Sequence, residues 1–479
     1  MFLFIPLYID ILGFESYSVI TFTLVLAGLV AILDAGLTAT LSREFARVDS
    51  TIEEKKDILE TLETVYFLII SLVVFVLFSS SSFIATEWIN LESFSTNQIA
   101  LFLKFVSFEF GFQMLFRFYL GGLYGLELQI AANVFQVGWG IVRNGLVVLL
   151  IYLVPTLDAF FIWQAVTTII FTVILKFYLQ KKLTGQIRFK FGFTLDKKIL
   201  KKIWRFAGGM MLISTVAAVN TQLDKLTISK MLSIESLGYY TLAVSLSAIL
   251  ISIVSPISVA LLPRFTALYS EKKKEDATKL FLLVNLLTSI IVFSLMVNIV
   301  FFPKELIWIW TGKMELAEKV ESLVPIMAIS MAMLSLALIP YNIAIANGYT
   351  RLNNILGIVS LFLTVPGYYF ATKEFGAMGA AIVFCSVQCM VTIVYYYFIN
   401  KKFINIDLLT LYGRKMLLPL IISTVIAFLI HAIPINIGDN RFLSLGWIGL
   451  SCFVTFLVTA FICLEGGTIR QFKKDFTIK

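Results

Sequence analysis

From residue 17 to residue 464 the chain is a succession of long apolar segments separated by short polar connections. They run roughly 17–41, 63–85, 99–124, 130–154, 157–180, 205–229, 236–261, 280–302, 323–347, 352–371, 377–399, 416–434 and 445–464. A helix needs about 20 apolar residues to cross a bilayer, and backbone groups in hydrocarbon must be satisfied within the chain. Thirteen such segments therefore point to an all-α polytopic membrane protein. Residues 1–12 are apolar but too short to span, and lack the basic start and small-residue cleavage site of a signal peptide. They read as the second half of a first helix, short or truncated, which gives about fourteen transmembrane helices. Only 14% of the 479 residues are charged, against about 25% in a soluble domain. That is too little polar surface for a water-soluble fold of this length.

The net charge of +8 follows the connections. One alternating set (42–62, 125–129, 181–205, 262–279, 348–351, 400–415 and the tail 465–479) carries 27 Lys and Arg, and the other carries six. The excess of basic residues marks cytoplasmic loops, so both termini are expected inside. Scattered over many short loops, these charges suit a membrane surface better than nucleic acid. No connection is long enough for a globular domain, which argues against an enzyme built on a large external loop. One histidine, His431, cannot form a zinc cluster or a His-based catalytic set, and there is no Gly-x-x-x-x-Gly-Lys-Ser/Thr phosphate loop. The four cysteines all lie in apolar segments; Cys385 and Cys389, one turn apart, read as packing rather than metal ligands. No cofactor is implied.

The most basic loop, 181–205, has six segments before it and eight after. It divides the chain into an N-lobe (1–180, helices 1–6), a basic cytoplasmic linker (181–204), a C-lobe (205–399, helices 7–12), and helices 13–14 with a cytoplasmic tail (400–479). A faint repeat supports two lobes. Residues 13–47 and 233–267 each start with Glu-Ser and an aromatic, continue through about 25 apolar residues, and end on a basic residue, Arg43 or Arg264. Both copies run from outside to inside, so the repeat is parallel. Two related bundles around a central site is a transporter plan.

Leaving aside the two outermost positions at each end of a segment, eight charges fall within the segments: Asp34, Lys104, Glu109, Arg117, Arg143, Lys176, Asp224 and Lys225. At about 2.5–3.5 kcal/mol each, exposing all of them to lipid would cost on the order of 20–28 kcal/mol. They must pair, snorkel or line a wet cavity. Helical spacing favours a cavity. Glu109, Gln113 and Arg117 form one stripe; Asn133, Gln136, Gly140, Arg143 and Asn144 a second; Gln164, Thr167 and Thr168 a third. On 205–229, Ser214, Ala218, Thr221 and Lys225 share a face with Asp224 at its edge. Structural pairing is the competing reading, with Glu109 reaching Arg117. Lys176 and Lys104 lie near segment ends, where long side chains snorkel. Asp224 and Lys225, as sequence neighbours, point apart and need partners elsewhere. Arg143, at mid-span, has the strongest claim on a cavity, followed by Arg117. Asp34 is either a titratable, ion-binding carboxylate or part of a helix break at Gly36, paired with Arg43 or Arg47. The first lobe then holds two surplus positive charges. A cationic cavity in a low-dielectric wall attracts anions, and arginine forks match phosphate oxygens.

Three motifs carry a resemblance: LGFESYSVITFTL, LDAGLTATLSREFA and LDKLTISKMLSIESLGYYTLA (residues 223–243). With their spacing, and with hydropathy over nearly the whole chain, they resemble the Wzx-type polysaccharide flippases. These form the polysaccharide transporter family of the multidrug/oligosaccharidyl-lipid/polysaccharide exporter superfamily. The resemblance implies two six-helix lobes forming a V around a cationic central cavity. It implies transport of an undecaprenyl-diphosphate-linked oligosaccharide repeat unit across the bacterial cytoplasmic membrane for O-antigen or capsule synthesis, by alternating access coupled to an ion gradient. Arg117, Arg143, Lys225 and Lys104 are the expected diphosphate contacts; Asp34, Glu109 and Asp224 are the candidate ion-coupling or cavity carboxylates. The implied partners are the lipid-linked oligosaccharide, membrane lipids, a polysaccharide polymerase and a chain-length regulator. A drug/ion antiporter of the same superfamily, or a membrane polysaccharide polymerase or ligase, are the alternatives. The positive surplus opposes the first and the short external loops oppose the second.

Overall fold

The structure, a computed structural model, describes residues 2–34, 36–47, 50–90, 94–185, 195–433 and 440–464. The middle of the basic linker, the C-terminal tail and the side chains of Ser214 and Ala218 lie outside the described residues. Among those described, every regular element is helical; the one strand-like pairing is an isolated bridge between Asn90 and Ser233. Among the described residues, ten helices are long and apolar enough to cross a membrane, and Phe2–Leu12 and Phe14–Val30 are shorter apolar helices. The chain forms two compact units, Met1–Gly238 and Tyr239–Lys479.

The first unit contains α1 (Ile5–Leu12), α2 (Phe14–Val30), α3 (Leu37–Ala46), α4 (Ile52–Phe83), α5 (Thr96–Gly125), α6 (Gln129–Ile141), α7 (Val147–Leu153), α8 (Leu157–Thr184) and α9 (Lys197–Met231). The helix starts are written in the sequence. Thr51 with Glu54, and Ser95 with Gln98, form reciprocal capping boxes at α4 and α5. Asp196 caps α9. At 32 residues α4 is about 48 Å long, longer than the roughly 30 Å hydrocarbon core, with its charged residues gathered in the first turns and an apolar remainder long enough to span. The segment 17–41 is not one helix. It breaks after a 3₁₀ turn (Ala31–Asp34), and Gly36, with φ 68°, starts α3. A positive φ favours glycine, so the break expected at Gly36 is present.

The central helix α5 is buried on most sides and packs on α3, α4 and α8. Glycines at its C-terminal end admit α3: a Cβ on Gly125 would lie 2.4 Å from the Ser42 carbonyl oxygen, and one on Gly121 2.6 Å from Thr38. Gly125→Val is therefore expected to separate the two helices. A destabilisation of about 1–3 kcal/mol, the usual range for overpacking, should appear as a lower unfolding temperature in detergent. Contact also places α9 in this unit, against α2 and α3. The division of the chain thus falls within the helix that follows α9, later than the basic linker.

The second unit contains α10 (Ile234–Ser247, which crosses the boundary), α11 (Ile249–Ser270), α12 (Lys274–Phe301), α13 (Pro303–Thr311), α14 (Met314–Val320), α15 (Leu323–Ala346), α16 (Arg351–Ile399), α17 (Leu418–His431) and α18 (Arg441–Cys463). The 49 residues of α16 are two helices, broken at Gly376 (φ 61°, ψ −146°), as the separate segments 352–371 and 377–399 anticipate. The connection at 303–322 is helical rather than loose: α13 and α14 form a hairpin held by Lys304–Glu318 at 2.8 Å. Buried polar side chains join α17 and α18 to α12. Ser451 donates to Asn298 Oδ1 at 2.5 Å, Ser294 and Ser423 lie 3.4 Å apart, and Ser423 and Thr459 3.1 Å. Such groups have no water partner in lipid and satisfy one another across helices.

A polar cluster inside the first unit

The outer face of α5 is apolar and exposed at Leu101, Phe105 and Phe108. At about 100° per residue, Arg117 stands about 160° around the helix from Leu101. It too is exposed, yet forms no hydrogen bond or ion pair among the described residues. An exposed guanidinium opposite an apolar face is best explained by water or an anion on that side.

Asp34 lies near it. The Tyr66 hydroxyl on α4 and the Thr38 hydroxyl on α3 each donate to Asp34 Oδ1 at 2.5 Å. Tyr66 is fully buried and stacks on Phe118 at 4.7 Å. The helix break is thus accompanied by different partners from those expected: Asp34 is held by two hydroxyls, and Arg47 pairs with Glu44 at 3.3 Å.

Glu109 also has a different partner from the one its stripe suggests. Arg143 Nη2 lies 2.8 Å and Nε 3.2 Å from Glu109 Oε1, and Gln113 donates to the same oxygen at 2.6 Å. Thr168 adds a longer contact at 3.4 Å, and the Arg143 guanidinium sits 5.1 Å over the Trp139 ring. Members of the three polar stripes on 99–124, 130–154 and 157–180 therefore meet at an ion pair, while Asn133 and Gln136 are exposed and lie against the Tyr124 hydroxyl. Arg143 reaches the pair from a π-helical turn, Val142–Leu146, between α6 and α7. A π turn disturbs the carbonyl ladder, and here the disturbed carbonyls find side-chain donors. Trp163 donates to the Val142 carbonyl at 3.0 Å, Gln164 to Arg143 at 3.0 Å, and Tyr8 to Asn144.

A second buried pair was not visible in the sequence. Lys176 Nζ is 2.6 Å from Glu63 Oε1, which also accepts from the Tyr119 hydroxyl. Both charged side chains are under 10% exposed. Lys176 does not snorkel; Glu63, at the edge of the 63–85 segment, holds it inside. Counting Glu63 lowers the first unit's positive surplus from two to one. Lys104 stands apart on the apolar side of α5, 5.4 Å over the Phe78 ring. On α9, Asp224 and Lys225 do not point apart: Lys225 Nζ lies 3.5 Å from Asp224 Oδ1 and donates to the Thr221 carbonyl at 2.9 Å. Asp224 is buried, and the flexible lysine stem folds back to it.

Comparisons with known proteins agree on one class. Residues 1–269 match the family model described as polysaccharide biosynthesis protein, and residues 210–370 match the MatE model. A Shigella flexneri protein named "Putative O-antigen transporter" is 21% identical over 375 residues, 78% of this chain and 86% of that one. Among solved structures, the lipid II flippase MurJ in an inward closed conformation aligns at TM-score 0.74 and 16% identity, over 100% of this chain and 97% of its own. An inward-facing multidrug resistance MATE transporter aligns at TM-score 0.66 and 15% identity, over 84% of this chain and 93% of its own. The two structural likenesses show an all-helical transporter fold. The relatives are transporters and flippases rather than enzymes.

Proposed function

The chain belongs to the polysaccharide biosynthesis protein family, and from that membership we propose that it is a flippase for an undecaprenyl-diphosphate-linked oligosaccharide. It works in the bacterial cytoplasmic membrane with both ends inside, and serves O-antigen or capsule synthesis. The observation that carries this reading is Arg117, an exposed cation inside a membrane span with no ion-pair partner among the described residues. Its planar fork suits a diphosphate. The other expected contacts take different roles. Arg143 is neutralised by Glu109 and positions the π turn, and Lys225 is partly neutralised by Asp224. Lys104 lies nearest the apolar surface and contributes least. Asp34 is held by two neutral hydroxyls and has no cation partner among the described residues, and we assign the ion-coupling step to it.

Complementation of a flippase-deletion strain, scored by surface glycan, tests this. Arg117→Ala should lower surface glycan at least tenfold at unchanged membrane level, with Arg117→Lys retaining part of the activity. Full activity of Arg117→Ala would remove the diphosphate role. The MatE match over residues 210–370 supports a second reading, a drug/ion antiporter. Drug export by the wild-type chain, with no glycan rescue, would select it.

A further inference from the structure

A groove of about 560 Å³ opens between α4, α5 and α8 on the apolar side of the first unit. Its walls include Phe67, Val74 and Phe78 of α4, Phe108 and Phe112 of α5, and Val173 of α8. Lys176 and Tyr119, the partners of Glu63, also line it. The walls are almost wholly apolar, and all three helices are candidate membrane spans. Water is a poor occupant, because it needs two or more polar partners. An empty void of this size forfeits dispersion contacts along its whole lining. The lining runs along α4 from Phe67 to Phe78, about 16 Å at 1.5 Å per residue. That is close to the depth of one leaflet, about half of a 30 Å hydrocarbon core.

We propose that this groove is a lipid-chain site, occupied by one acyl chain of a bilayer phospholipid. Its rim is continuous with exposed apolar side chains such as Phe75 and Phe108, so a chain enters from the surrounding leaflet without crossing polar surface. At about 16 Å along α4 the groove matches one acyl chain and is much shorter than an undecaprenyl tail. The chain covers the open side of the Lys176–Glu63 pair and keeps water from it. This inference rests on the chain spanning a membrane and not on what it transports.

The test uses the full-length protein in vesicles containing a phospholipid with a diazirine at mid-chain. After illumination, labelling should concentrate on the lining residues of α4, α5 and α8, above the level on the exposed face of α6. Ser71 lines the groove and is exposed, so Ser71→Trp fills it without disturbing the core. That variant should lose labelling at least fivefold, and Leu72→Trp, on the neighbouring exposed face, should keep it. Three results would overturn the proposal: even labelling of all lipid-facing helices, unchanged labelling in Ser71→Trp, or equal loss in Leu72→Trp. Displacement of the label by undecaprenyl phosphate would also overturn it, assigning the groove to the prenyl chain instead.

Discussion

Arg143→Ala is expected to lower the amount of folded protein in the membrane several-fold, before any question of transport arises. The substitution leaves Glu109 buried with only Gln113 and Thr168 as partners. Removing one partner of a buried ion pair costs about 3–5 kcal/mol, because the remaining charge is uncompensated. A domain stabilised by about 5–15 kcal/mol cannot absorb much of that. The double variant Glu109→Gln/Arg143→Gln removes both charges and should recover most of the membrane level. Thermal unfolding in detergent checks both points. Recovery of level together with transport would mean that the pair is purely structural. Recovery of level alone would mean that the Arg143 charge also serves the substrate. A normal level in Arg143→Ala would mean that the ion pair is not a structural element.

Lys176→Ala should be comparably damaging, and Lys104→Ala nearly neutral. Both lysines look alike in the sequence, each within a turn or two of a segment end. The structure separates them: Lys176 is buried against Glu63 at 2.6 Å, and Lys104 lies over a phenylalanine ring at the apolar surface. The first loss leaves a buried carboxylate, at about 3–5 kcal/mol. The second costs at most about 0.5–1 kcal/mol of cation–π attraction. Glu63→Gln/Lys176→Met should restore most of the stability lost in Lys176→Ala. If Lys176→Ala unfolds at the wild-type temperature, then Lys176 reaches the interface after all and the buried pair is absent in the membrane.

What could be read from the sequence is what local pattern determines. Apolar length locates the helices, capping boxes start α4 and α5, and glycines at 36 and 376 break the chain where they stand. The polar stripes on 99–124, 130–154 and 157–180 are read as facing a cavity; Glu109, Gln113, Arg143 and Thr168 instead meet at an ion pair, while Arg117, Asn133 and Gln136 of the same stripes are exposed. Partner choice is not local. Glu109 was one stripe-mate away from Arg117, yet its partner comes from a π turn on another element, and no sequence signal marks that turn. Glu63 was missed because it falls where a span was taken to begin. It is nonetheless buried within the protein, against Lys176. Asp224 and Lys225 were separated by the 100° step between neighbours, which fixes Cβ direction but not where a four-carbon stem can reach.

The most direct test of the central claim is translocation by the purified full-length protein. An undecaprenyl-diphosphate oligosaccharide is placed in one leaflet of proteoliposomes, and the sugar's exposure to a membrane-impermeant glycosidase is followed over time. Protein-dependent transfer between leaflets is expected, accelerated by an ion gradient and reduced at least tenfold in Arg117→Ala. Transfer no faster than in protein-free vesicles, from protein that is folded and correctly inserted, would contradict the claim.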